Sequence, residues 1–286
     1  VTLPLPWPFD RQYMQLALAA GLVVGVCAPL LGAFLVQKRL ALFGDGVGHL
    51  AFAGVAAGLL AGVWPVATAL VVASVGAVVI ELLRSRQRAS GDVALALLLY
   101  SGVAAGIVMV SLADSLNASL LSYLFGSIVT VTPGDALTIG GLGVIIIVIM
   151  TVCGRALFAV VVDEEASRVA GLPVDRLNML LAVLTAVTVV AAMRVVGVLL
   201  VAALLVLPVA FGQVVGRSFK GTLVWSVAIG VVAVVAGLSA ARIWGLAPGG
   251  TIVLVAAAAY ASVALLPRRV SHGLASSGRR GQPFPQ

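Results

Sequence analysis

Charge is what this 286-residue chain has least of. Asp, Glu, Lys and Arg make up 9% of it, aromatic residues 6%, and there are two cysteines and two histidines. A soluble domain carries roughly 25% charged residues, so a water-facing globule has too little polar material here to cover itself. Two lone cysteines, Cys27 and Cys153, both inside apolar runs, define neither a disulfide framework nor a metal cage; they read as packing residues. The chain has no G-x-x-x-x-G-K-[ST] phosphate loop, no H-E-x-x-H, no G-x-S-x-G and no Cys/His cluster. ATP hydrolysis by a P-loop, zinc-protease chemistry and serine-esterase chemistry are therefore outside its repertoire.

What is present is apolar. Hydrophobic residues account for 62% of the chain and the mean hydropathy is +1.21. A helix needs about 20 apolar residues to cross the hydrocarbon layer. Such runs fall at roughly 13–37, 46–63, 65–83, 93–112, 136–154, 177–193, 196–216, 222–241 and 250–266. They are continuous rather than alternating, which selects helices over a barrel. The expected fold is all-α: a polytopic transmembrane helix bundle of about nine spans, with eight or ten as variants. A shorter run at 118–131 is too brief to span and reads as re-entrant or interfacial. The 32 glycines suit close helix contact in lipid.

The net charge of +7 would favour nucleic acid as a partner in a soluble protein. Here the cations sit at the ends of apolar runs instead: Lys38-Arg39, Arg84/Arg86/Arg88, Arg155 to Arg176, Arg217/Lys220 and Arg268-Arg269. Placing all five clusters in the cytoplasm gives nine passes, with residues 1–12 as an external segment. A transmembrane domain then covers 13–268, and 269–286 form a disordered cytoplasmic tail. Residues 1–10 lack a basic stretch ahead of an apolar core, so they do not read as a cleavable signal. With no organellar targeting pattern either, the expected address is the bacterial plasma (inner) membrane.

Four places can carry chemistry. Asp45 and His49 in Gly44-Asp45-Gly46-Val47-Gly48-His49 are four residues apart, so on a helix they share a face. A carboxylate and an imidazole together are two ligands for zinc or manganese; equally, Asp45 is an N-terminal cap and His49 a packed side chain. The longest polar stretch, Asp163-Glu164-Glu165-Ala166-Ser167-Arg168, followed by Gly171 and Pro173, reads as a short helix with acidic residues at its N-terminus and a glycine stop. Such a helix is a connector or a docking element. Arg194, between two apolar runs, is a snorkelling anchor or a group with an electrostatic role near a pathway. Pro208 either kinks or breaks its helix. Asp92 and Asp135 each begin an apolar run as caps, and Glu81, one turn from Arg84, pairs with it.

These residues, in order, resemble the permease subunits of ABC-type zinc/manganese importers. The likeness begins at Gly32-Ala33-Phe34-Leu35-Val36-Gln37-Lys38-Arg39 and Gly44-Asp45, with His49 and Gly54 following. It continues through Ser122 to Ser127, Thr132-Pro133-Gly134-Asp135, Asp163 to Gly171, Met193 to Gly197 and Leu205 to Ala210, and ends at Pro248-Gly249-Gly250. The resemblance implies a non-catalytic, homodimeric permease that carries a divalent metal inward, zinc first and manganese as the alternative. It also implies a separate cytoplasmic ATPase pair that binds ATP, and an external metal-binding protein. No permanently bound cofactor and no nucleic acid are implied. Asp45 and His49 would be pathway ligands, and Asp163, Glu164, Glu165, Ala166 and Gly171 part of the coupling helix that seats on the ATPase. Where relatives carry an acidic residue before the last Pro-x-Gly, this chain has Leu246-Ala247. Rival readings are a permease for a metal chelate such as a siderophore or cobalamin, a non-transporting membrane scaffold, and an ion-coupled carrier.

Overall fold

The computed structural model describes residues 6–85, 91–112, 118–127, 129 and 131–265. Arg86, Arg88, Arg268, Arg269 and the expected tail lie outside the described residues, as does the side chain of Asp92. Among the described residues the chain is helical with no strand: α1 (Gln12–Gln37), α2 (Phe43–Leu60), α3 (Pro65–Ser85), α4 (Gly91–Ser111), α5 (Ala118–Phe125), α6 (Pro133–Val162), α7 (Glu164–Val169), α8 (Val174–Met193), α9 (Val198–Val215), α10 (Phe219–Trp244) and α11 (Pro248–Ala264). Helices are forced by the solvent, because lipid offers no hydrogen bonds to an open backbone. Seven of those described are long and apolar enough to cross a membrane; α9 and α11 are apolar but give shorter spans. The nine expected runs coincide with these nine helices.

α2 lies at the centre, with α3, α4, α5, α8 and α9 packed around it, while α1, α9, α10 and α11 form the adjoining half. Contact is close because small residues line it. A Cβ on Gly54 of α2 would lie 2.6 Å from the Ala69 Cα of α3, and one on Gly32 of α1 would lie 1.9 Å from the Leu205 carbonyl oxygen of α9. At such separations dispersion and helix–helix fit do the work that the hydrophobic effect does in water.

The ends are built by local chemistry. Thr132 and Asp135 form a reciprocal capping box at the start of α6: the Asp135 N–H donates to Thr132 Oγ1 at 3.1 Å, and the Thr132 N–H donates to Asp135 Oδ2 at 2.9 Å. Asp135 is thus the cap its position predicts. At 30 residues α6 is about 45 Å long, beyond the hydrocarbon thickness of about 30 Å. Its last turns therefore project and carry α7. The ends of α1, α3, α6 and α9 and the starts of α2, α8 and α10 collect at one face of the bundle, with Lys38, Arg39, Arg84, Arg168, Arg176, Arg217 and Lys220.

At the opposite face the short α5 packs against α2, α9 and α11. Gly126 (φ 74°) and Gly197 (φ 89°) take left-handed backbone that side chains disfavour. Each faces the other's strand of chain: a Cβ on Gly197 would lie 2.4 Å from the Leu124 carbonyl oxygen, and one on Gly249 of α11 would lie 1.8 Å from that of Val196. Irregular backbone of this kind is tolerated where protein covers it. α9, by contrast, runs unbroken through the buried Pro208.

Candidate functional site

Asp45 stands in the first turn of α2, and His49 one turn further in. Three glycines let neighbouring helices close on this stretch. Gly46 packs against Leu98 and Gly48 against the Val198 carbonyl, while Gly102 of α4 brings its backbone against that of His49. The side chains of Asp45 and His49 stay partly open. Asp45 is 34% and His49 19% exposed, and His49 Nε2 lies 3.9 Å from Asp45 Oδ1. That is too far for a hydrogen bond. Two ligand atoms in a tetrahedral zinc site stand about 3.4 Å apart, given Zn–N and Zn–O bonds near 2.1 Å, so the pair closes by about half an ångström to share one ion. No third His, Cys, Asp or Glu joins them among the described residues. Asp45 has a helix-start position but makes no side-chain capping bond, since α2 begins after Leu42 without one.

The polar stretch after α6 folds as its pattern predicts. Asp163 closes α6 and caps α7, its Oδ1 accepting the Ala166 N–H at 2.9 Å. Gly171 (φ 81°) ends the helix, with the Leu172 N–H donating to the Ser167 carbonyl at 3.0 Å in a Schellman-type closure. The acidic residues then separate. Glu165, Ala166 and Gly171 face outward together with Val169, which is 90% exposed. Glu164 turns into the bundle: Asn178 Nδ2 donates to its Oε1 at 2.6 Å, Lys38 Nζ lies 3.8 Å from Oε2, and Arg84 lies 3.9 Å from Oε1.

Around Glu164 the ends of α1, α3 and α8 meet. Lys38 also donates to Asn178, and Arg84 makes a two-pronged pair with Glu81 at 2.6 and 2.9 Å, the i,i+3 pair that the sequence predicts. Glu81 is 3% and Asn178 4% exposed. Two cations and two carboxylates balance within the cluster, as burial requires. Burial pulls the Lys38 ammonium below the ordinary lysine pKa, and the Arg84 charge adds to that, while Glu164 and Glu81 oppose it. Sequence reasoning missed Lys38 and Asn178 as members. Asn178, an amide within an apolar run, was the available signal.

Arg194 is no snorkelling anchor. Its guanidinium is 15% exposed, lies 2.6 Å from Asp135 Oδ2 and sits 4.8 Å over the Tyr123 ring. The pair joins the start of α6 to the end of α8 beside α5. Tyr123 and Asp135 give the charge a partner inside the protein, so the side chain has no reason to reach for the interface.

Comparison with known proteins now decides the family. Residues 10–266 match the ABC 3 transport family. The chain belongs to that family. It resembles the high-affinity zinc uptake system membrane protein ZnuB of Haemophilus influenzae, at 29% identity over 84% of this chain and 92% of the relative. It is 28% identical to the manganese transport system membrane protein MntC of Halalkalibacterium halodurans, over 87% of this chain and 86% of that one. Among solved structures, PsaBC from Streptococcus pneumoniae in complex with Fab superposes with a TM-score of 0.80 at 29% identity, covering 90% of this chain and 92% of that chain. As a member of the ABC 3 transport family the chain is a multi-pass membrane transport component, not an enzyme.

Proposed function

We propose that this ABC 3 family chain is the permease subunit of an ATP-driven importer for a divalent transition metal, zinc first and manganese as the alternative. The reading rests on the Asp45–His49 pair: two ligand atoms 3.9 Å apart, partly open, on the central helix. One chain supplies two ligands and zinc favours four, so a second copy related by a dyad completes the set, and the ion passes between the protomers. Relatives named for zinc uptake and for manganese transport support a metal cargo. Imidazole favours zinc, while the carboxylate suits manganese as well.

An ATPase pair on the basic face docks on the outward side of α7, where Glu165, Ala166, Val169 and Gly171 are presented, and an external metal-binding protein delivers the ion at the opposite face. Asp163 shapes the docking helix by capping it. Glu164, held by Lys38, Arg84 and Asn178, carries its movement to α1, α3 and α8, and the short Lys38–Leu42 turn passes that movement to Asp45. On the outer side Arg194 closes the path by its tie to Asp135, and Pro208 gives α9 a hinge. Metal uptake in cells lacking the gene tests the reading. Wild-type chain restores uptake, whereas Asp45→Ala and His49→Ala reach the membrane and fail at limiting metal. Normal uptake by both variants refutes the assignment of the pair.

A further inference from the structure

A groove of about 670 Å³ runs between α1, α6 and α10 near the basic face, away from the Asp45–His49 pair. Its walls are apolar, with Leu30, Phe34, Met150 and Phe158 among them, and two cations, Arg155 and Lys220, stand on its lining. Both are exposed, and neither makes an ion pair or side-chain hydrogen bond with any described residue. Arg155 lies seven residues before the end of α6, about 10 Å along the helix, so its charge sits close to the boundary of the hydrocarbon. A cation at that level, exposed and with no ion-pair partner among the described residues, stands among lipid headgroups, where an anionic phosphate can reach it. At the face where the cationic residues gather, that anion is the phosphate of an inner-leaflet lipid. Basic pockets between transmembrane helices on the cytoplasmic side are recognised sites for acidic headgroups.

We propose that this groove binds an anionic glycerophospholipid, one acyl chain lying along the apolar walls and the phosphate held between Arg155 and Lys220. The proposal rests on the inward orientation of the basic face and is independent of which metal is carried. The full chain, purified in mild detergent and stripped of lipid, is titrated with phosphatidylglycerol or phosphatidylcholine, and bound lipid is counted by native mass spectrometry. Wild type binds phosphatidylglycerol the more tightly. At about 1 kcal/mol per basic residue, Arg155→Gln with Lys220→Gln weakens that binding by roughly 30-fold and brings the two lipids level. The charge-matched control Arg176→Gln with Arg217→Gln leaves it unchanged.

Gly154→Leu probes the apolar part separately. A Cβ there meets nothing within 4 Å, so the added side chain enters the groove without disturbing the core and lowers retention of both lipids. Equal binding of the two lipids by wild type overturns the proposal, as does an undiminished preference in the Arg155/Lys220 double variant. So does efficient disulfide cross-linking of Thr151→Cys between two copies in the membrane, in a Cys153→Ala background, which would make the groove an interface between protomers.

Discussion

Replacing Asp135 by asparagine removes one charge and almost no volume. The amide oxygen can still accept the Thr132 N–H and hydroxyl, now at 2.9 and 2.8 Å, so the start of α6 keeps its cap. What is lost is the counter-charge of Arg194, 2.6 Å away, between side chains that are 15% and 7% exposed. Breaking a buried ion pair from one side costs about 3–5 kcal/mol. The Tyr123 ring 4.8 Å from the guanidinium carbon retains part of the cation's stabilisation, which places Asp135→Asn near the lower limit, at about 3 kcal/mol. Arg194→Met strands the carboxylate instead. Because that carboxylate keeps its charge-assisted bonds from Thr132, this variant loses less, about 2 kcal/mol. The double variant leaves no charge to strand, so its loss falls short of the summed single losses by about 2 kcal/mol. Equilibrium unfolding in mixed detergent–SDS micelles, followed by thiol labelling of the buried Cys27, measures all three. Additivity of the two exchanges within about 0.5 kcal/mol would refute the idea that the pair joins α6 to α8.

Other consequences follow from the opposite face and from the close contacts. Glu164→Gln leaves Lys38 and Arg84 with Glu81 alone. Since Glu164 is 37% exposed, screening holds the stability loss to about 1 kcal/mol, whereas Glu165→Gln, whose side chain faces out, changes stability by less than about 0.5 kcal/mol. With the partner ATPase reconstituted, Glu164→Gln transports less metal per ATP hydrolysed than wild type; stability and transport equal to those of wild type would remove Glu164 from the transmission path. Gly249→Ala puts a methyl group 1.8 Å from the Val196 carbonyl oxygen while Gly250→Ala meets nothing within 4 Å. Thermal unfolding in detergent should show a loss of about 1–3 kcal/mol or more for the first and none for the second; similar midpoints would mean that the seam between α11 and the 195–197 turn yields easily.

How far the sequence reaches depends on the range of the interaction. The nine apolar runs found their helices because the bilayer imposes one rule along the whole chain, and that rule can be read locally. Asp135 as a cap, Asp163 as the start of α7, Gly171 as its stop and the Glu81–Arg84 pair were legible for the same reason: each partner lies within one turn or two. Asp45 and His49 were legible as a pair because four residues on a helix fix their separation whatever surrounds them. Arg194 was not. Its partner lies 59 residues away, and the pairing exists only because α6 begins and α8 ends at the same face. Glu164 shows the same limit more sharply. In sequence it cannot be told from Glu165, its neighbour with the same side chain. On a helix successive residues point about 100° apart, so one carboxylate meets Lys38 and Asn178, 140 residues from each other, while the next meets water. Charge pattern could locate the short helix, but only packing could divide it into an exposed face and a face held by the bundle. On the reading proposed above, that division is what a coupling helix of six residues needs in order to pass a push inward: one side free to be gripped, the other already held.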